Sequence, residues 1–356
     1  MCCGLPAADN ENRARCGRGG QGGLRRGCFH IVIVLLALMA PPAQADEQVK
    51  IGIGFGLAFL PIYICEDLKL VEKYGKEQHL AVRASYERFL GADAVQDAVT
   101  SRAIDMGPFG VAPLLTAWEK GKETKDARRQ IFAVSGMTTM PLVLLSNERR
   151  IRTIADLRPS DRIAMPTLTA PQMYLLGMQS EKVLGQYDRL RDQVVVLSHA
   201  DAVAALLGGE GPADAYFSSP PYTQIALKDT RVHRVLNSES VIGGKVSFLI
   251  IGATQTFIEA HPKVPEIIDK AMDEAAHIIH DDPLRAAQIY LEHEPSRALD
   301  ATDMEAVLRE NKDQFGSAIE GTQAFADFMG RHGELKAPPQ SWKEIVAPSL
   351  LNSPST

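Results

Sequence analysis

From Val49 onward, short runs of β-branched and apolar residues alternate with stretches whose apolar positions recur every three or four residues. The first kind suits strands and the second amphipathic helices, because side chains repeat every two residues on a strand and every 3.6 or so on a helix. The pattern predicts strands at Val49–Ile53, Leu80–Tyr86, Ile104–Gly107 and Ile131–Met137. Helices at Ile62–Tyr74, Ala92–Ser101 and Val111–Lys120 separate them. At Thr138–Pro141 the rhythm breaks, and a strand at Leu142–Ser146 follows almost without a turn. A second series then predicts strands at Arg162–Met165, Val194–Leu197, Ala213–Phe217 and Val232–Leu236, with helices at Pro171–Leu184, Asp201–Leu207 and Pro221–Leu227. Gly243-Gly244 interrupts it ahead of a long apolar strand, Ser247–Ala253. From Phe257 to Phe328 the β-type runs vanish and helices follow one another. Thr256 with Glu259 and Thr302 with Glu305 read as capping boxes, and Asp282-Pro283 as an N-cap followed by proline at the first helical position.

Strand–helix alternation builds mostly parallel sheets covered by helices, so the fold class is α/β. Two series joined near 140 and again near 244 predict two lobes with two hinge crossings and a helical C-terminal region. Residues 46–139 with 245–356 would form lobe 1, and residues 140–244 lobe 2. Ligands of open α/β sheets sit at the carboxyl ends of strands. A groove where two such sheets face each other is therefore the natural site.

Residues 1–45 stand apart. Five arginines precede an apolar run, Ile31–Ala40, and Pro41-Pro42 with Ala43-Gln44-Ala45 follow it. This is the order of a secretory signal peptide, and the run is about half of the roughly 20 residues that span a bilayer. Cys28 precedes the run, so it is no lipobox cysteine. Removing the five arginines and two acids of this segment takes the formal net charge from −6 to −9, which argues against a nucleic-acid partner. Cys2, Cys3, Cys16 and Cys28 leave with it. Only Cys65 remains, and its apolar helical surroundings suit a buried small hydrophobe.

Four stretches resemble the periplasmic binding proteins of nitrate, sulfonate (taurine), bicarbonate and thiamine-pyrimidine-precursor ABC importers. They are Ile51–Tyr63 ahead of Leu70–Gly75; Gly91–Asp105 with Met106-Gly107; Ile154–Leu157 leading to Arg162–Pro166; and Asp201–Leu207 with Gly208-Gly209, then Ala213–Tyr216. The resemblance implies a type II two-lobed periplasmic-binding-protein fold, closing of the lobes on a small-molecule ligand, and an importer permease in the inner membrane as partner. It implies a soluble periplasmic monomer with no cofactor, metal or catalytic residue. The family often has small residues where this chain reads Thr167-Leu168-Thr169. The bulk of Leu168 turns the expectation from nitrate toward an organic sulfonate, carboxylate or heterocycle.

Candidate ligand contacts are residues placed after strands. Thr167, Thr169 and Ala170 precede a helix whose first position suits Pro171, where free N–H groups and hydroxyls make a site for an anionic or carbonyl group. Simple capping by Thr169 is the competing role. Ser218 and Ser219 follow a strand, as a site or as a hydroxyl-rich turn. Thr138 and Thr139 lie at the first crossing, as ligand contacts or as hinge structure. Phe59, Leu60, Phe89, Phe109 and Gly110 would supply an apolar wall, or else cover the core. Arg88 reaches a ligand acid unless Glu87 neutralises it, and His199 faces a ligand or joins a capped turn with Asp201. Gly52, Gly54 and Gly56 miss the dinucleotide spacing, and His277 with His280 suits a solvated helix end better than a metal. An enzyme of pyrimidine-precursor synthesis on the same fold uses a Cys-rich motif that is missing here. A sensory partner on a membrane receptor is a further alternative.

Overall fold

The computed structural model describes residues 47–351 apart from 91, 125, 127, 128, 209 and 210. The expected leader, its four cysteines, Gly91 and Gly209 lie outside the described residues.

Ten strands form two five-stranded sheets among the described residues. The first holds β1 (Glu47–Ile53), β2 (Val82–Arg88), β3 (Met106–Phe109), β4 (Ile131–Thr138) and β10 (Leu249–Thr254). The second holds β5 (Val143–Ser146), β6 (Ile163–Met165), β7 (Val194–Val196), β8 (Ala215–Ser218) and β9 (His233–Asn237). The strand orders are β2-β1-β3-β10-β4 and β7-β6-β8-β5-β9, the same pattern twice. β10 runs antiparallel to both its neighbours, and so does β5. Each sheet is thus parallel except for the one strand that enters straight from a crossing. All six residues of β10 are buried, as a central strand covered on both faces requires.

Helices connect these strands: α1 (Leu60–Leu68), α2 (Leu70–Glu77), α3 (Ala92–Ser101) and α4 (Val111–Thr124) in the first series. In the second come α5 (Pro171–Leu184), α6 (His199–Gly208), α7 (Tyr222–Leu227) and α8 (Ser238–Ile242). The helical run holds α9 (Gln255–Ala260), α10 (Val264–Asp281), α11 (Pro283–His293), α12 (Ala301–Glu310) and α13 (Thr322–Arg331). The single helix expected over Ile62–Tyr74 is two, because Lys69 takes a left-handed conformation (φ 53°) between α1 and α2. Leu80 does not open β2, since its N–H is spent on the Gly75 carbonyl that closes α2. Both expected capping boxes are displaced. Thr254, at the end of β10, caps α9 by accepting from the Phe257 N–H, and Asp300 caps α12 by accepting from Asp303. Asp282 caps α11 over Pro283 as expected.

One core cluster fills the first sheet and continues onto the second through Leu144, Ile163, Met165, Ala215 and Phe217. Alternate residues Val143, Leu145, Ala164 and Tyr216 face a second cluster with α6. That two-residue alternation is what lets short strands bury both faces. The crossings lie side by side. Phe248 donates to the Thr138 carbonyl, and Ser238 donates to that of Leu142. Gln314, from the helical region, accepts from the Thr139 N–H and from both threonine hydroxyls.

Candidate functional site

Where the two sheets meet, a cavity of 470 Å³ opens among the described residues. Its wall comes from loops at the carboxyl ends of parallel strands. Phe55 and Phe59 follow β1, and Leu90 with Asp93 and Gln96 follow β2. Gly110 and Pro113 follow β3. From the second sheet, Pro166, Thr167 and Thr169 to Gln172 follow β6, Ser198 to Ala200 follow β7, and Tyr222 follows β8. Phe248 and Leu249 enter at the start of β10, because an antiparallel strand begins where its neighbours end. Among the helices that start there, α5 has Pro171 in its first turn and no side-chain cap on its N–H groups.

The structure places Phe59, Gly110, Thr167, Thr169 and Ala170 in this wall. The Thr167 and Thr169 hydroxyls pair at 3.0 Å, and Thr169 donates to Asp93 Oδ1 at 3.3 Å, linking the two sides of the groove. Ala170 is the N-cap of α5 and offers no side chain to cap it, so Thr169 is not a cap. A Cβ on Gly110 would lie 3.2 Å from Pro171 Cγ, so the absence of a side chain there permits the close approach of the two walls.

Other expected residues fall elsewhere. Leu60 is fully buried in the core. Phe89 packs over Gly52 and the core edge. Phe109 is buried but reaches an adjoining open groove, which shares Asp93, Gln96, Pro113 and Thr169 with the cavity. Thr138 and Thr139 hydrogen-bond Gln314 at the crossing and do not line the cavity. Ser218 is buried, donates to the Val143 carbonyl and pairs with Thr223. Ser219 lies one layer behind the wall, 3.4 Å from His199 Nε2. Arg88 is engaged by Glu66 and His293 over the ring of Tyr63, not by Glu87. Leu168 is 46% exposed and outside the wall, so its bulk says nothing about ligand size.

His199 enters the wall more firmly than its sequence position implied. Ser198, not His199, forms the turn with Asp201. That leaves the imidazole free to bond Tyr216 through Nδ1 and to stack on Tyr222, with ring centroids 5.2 Å apart and planes 19° apart. Burial pushes its pKa down to about 4, so the ring is neutral near pH 7. Sequence reasoning missed Gln172, Tyr222, Phe248, Asp93 and Gln96. Asp93 and Gln96, three apart on α3, share a helix face and carried a weak signal; Phe248 carried none, since its place depends on β10 being inserted.

The Phe55–Phe59 loop is held from the far end of the chain. Glu294 Oε1 accepts from the Gly56 N–H at 2.6 Å and from the Tyr63 hydroxyl at 2.6 Å, and Tyr290 donates to Oε2. Gly56 sits at φ 114°, a region only glycine enters readily. Cys65 is fully buried against α10, where desolvation pushes its thiol up. His277 and His280 are exposed and bond Asp273 and Asp281. Among the described residues, no helix is long and apolar enough to cross a membrane.

Two mixed sheets of identical order facing one groove define the two-lobed fold of periplasmic binding proteins. Solved structures bear this out. The alkanesulfonate-binding protein SsuA from Xanthomonas axonopodis pv. citri, bound to MOPS, matches at TM-score 0.65 and 19% identity over 86% of this chain and 99% of that one. The periplasmic aliphatic sulphonate binding protein SsuA from Escherichia coli matches at 0.65 and 17%, over 85% and 98%. The periplasmic nitrate-binding protein NrtA from Synechocystis PCC 6803 matches at 0.63 and 13%, over 86% and 87%. No family model matches the sequence, and no curated protein matches it.

Proposed function

We propose that this protein is an extracytoplasmic solute-binding protein that captures a small organic molecule by lobe closure and delivers it to an ABC importer. One observation carries the reading: a single cavity is walled by strand-end loops from both sheets. A ligand that touches both walls stabilises the closed form over the open one, and closure is the signal a permease can read. In this reading one lobe takes the described residues up to 139 and from 245 onward, and 140–244 form the other. The segment 1–45 would direct export to the periplasm, where the protein would act as a monomer. At 470 Å³ the cavity falls within the range of about 300–1,000 Å³ common for small-molecule sites, and it is larger than an inorganic anion needs.

The test couples identification to shape. Mass spectrometry of the denatured, freshly purified protein identifies a co-purifying small molecule. X-ray scattering then compares stripped and reloaded protein. The expected result is 1:1 stoichiometry and a smaller radius of gyration on loading. An unchanged profile with a tightly bound ligand rejects lobe closure.

A further inference from the structure

We propose that the ligand, on the reading that this cleft is the solute site, is an uncharged planar molecule with a hydrogen-bond donor beside an acceptor on one edge. Cyclic amides, ureides and amino-substituted heterocycles have such an edge; sulfonates, carboxylates and inorganic anions do not.

Three independent features converge. The first is Gln172, one of the residues that line the cavity. Its side chain is fully buried, and neither its oxygen nor its nitrogen has a hydrogen-bond partner among the described residues. A buried amide left unpaired is costly, so one that borders a ligand-sized cavity is best explained by a partner that arrives with the ligand. The amide presents one acceptor and one donor side by side, and rotation about its last bond reverses them, so it matches a cis-amide edge in either sense.

The second feature is charge. Asp93 is the one formally charged side chain in the wall among the described residues, and His199 is held neutral. Thr169, the hydroxyl best placed to receive an anion at the start of α5, already donates to that carboxylate. An anion at this helix terminus would sit beside Asp93 with no lysine or arginine in the wall to offset it, whereas a ligand N–H is welcome there. The third is shape. Phe55, Phe59 and Phe248 line the same cavity as the Tyr222–His199 stack, and flat apolar faces suit a ring.

The test uses the full chain, stripped by unfolding and refolding. Calorimetry and thermal melting are run with uracil, cytosine and hydantoin as ring-amide probes, and with taurine, MOPS and sodium nitrate as anion probes. The molecule released from freshly purified protein is identified by mass spectrometry. The expected result is saturable binding of at least one ring amide and release of a neutral planar compound. Gln172→Met should weaken that binding by about 30-fold or more, the worth of two neutral hydrogen bonds. Should the variant fold poorly, competition between cytosine and taurine on wild-type protein decides in its place. Binding of taurine, MOPS or nitrate with the ring amides silent overturns this inference and leaves solute binding intact. No binding by any probe, with nothing released, overturns both.

Discussion

Acid should destabilise this protein through His199 in a way that one variant isolates. Burial lowers the imidazole pKa from the usual 6.5 to about 4 in the folded chain. Above pH 6.5 the ring is neutral in folded and unfolded chains alike, and the full stability is present. As the pH falls from about 6.5 toward 4, only the unfolded chain takes up the proton, so stability is lost across that window. The gap between the two values is worth at most about 3 kcal/mol by pH 4, and about 2 kcal/mol by pH 5. These are ceilings, because His199 is only partly buried at the cleft. Urea denaturation of wild type and His199→Gln at pH 7, 6, 5 and 4.5 checks the expectation. Carboxylates common to both proteins cancel in the difference, so the stability gap between the two should shrink or invert as the pH drops. Parallel curves over the whole range would refute the claim that the imidazole is held neutral by its surroundings.

Gly110→Val should push the two walls apart, since even a Cβ there meets Pro171 at 3.2 Å; scattering should show a larger radius of gyration and calorimetry weaker ligand binding. Glu294→Ala should cost about 2–3 kcal/mol in chemical denaturation, because it takes the acceptor from the Gly56 N–H and the Tyr290 hydroxyl and leaves Tyr63 only the Gly54 carbonyl, and it should loosen proteolytic protection of the Phe55 loop. Asp161→Ala should cost about 2 kcal/mol, because it takes from Arg150 its two-pronged partner at 2.5 and 2.9 Å and leaves the Arg158 N–H without its acceptor, while Arg150 keeps solvent, Glu148 and the Asp156 carbonyl. Burial alone would raise the Asp161 pKa, but the hydrogen bonds from Arg150 and Arg158 outweigh it and hold the carboxyl below its usual range. The cost of that variant, read by melting across pH, should therefore diminish in acid as the wild-type carboxylate is protonated.

The α/β alternation was legible because it rests on local periodicity. Ala92–Ser101 and Pro171–Leu184 were placed to the residue, since each is bounded by its own start signal and apolar face. What local pattern cannot carry is which strand neighbours which. β10 reads as one more apolar strand, and nothing in Leu249–Thr254 says that it slots between β3 and β4 in the opposite sense. Site residues split the same way. Thr167, Thr169 and Ala170 follow a strand and precede a helix, so their place at the cleft follows from topology alone. Ser218 satisfies the same rule yet turns inward to Val143, because alternation along β8 decides which face it takes. Gln172 looked like any second residue of a helix; its burial without a partner appears only when the two walls are brought together.

The late arrival of β10 has a consequence for how the chain matures. Until Leu249–Thr254 leaves the ribosome, β3 and β4 have no common neighbour, and the first sheet exists only as two unjoined edges with unsatisfied backbone groups. Even then the Phe55 loop waits for Glu294. An N-terminal fragment ending before β10 should thus behave as an aggregation-prone, incompletely folded species.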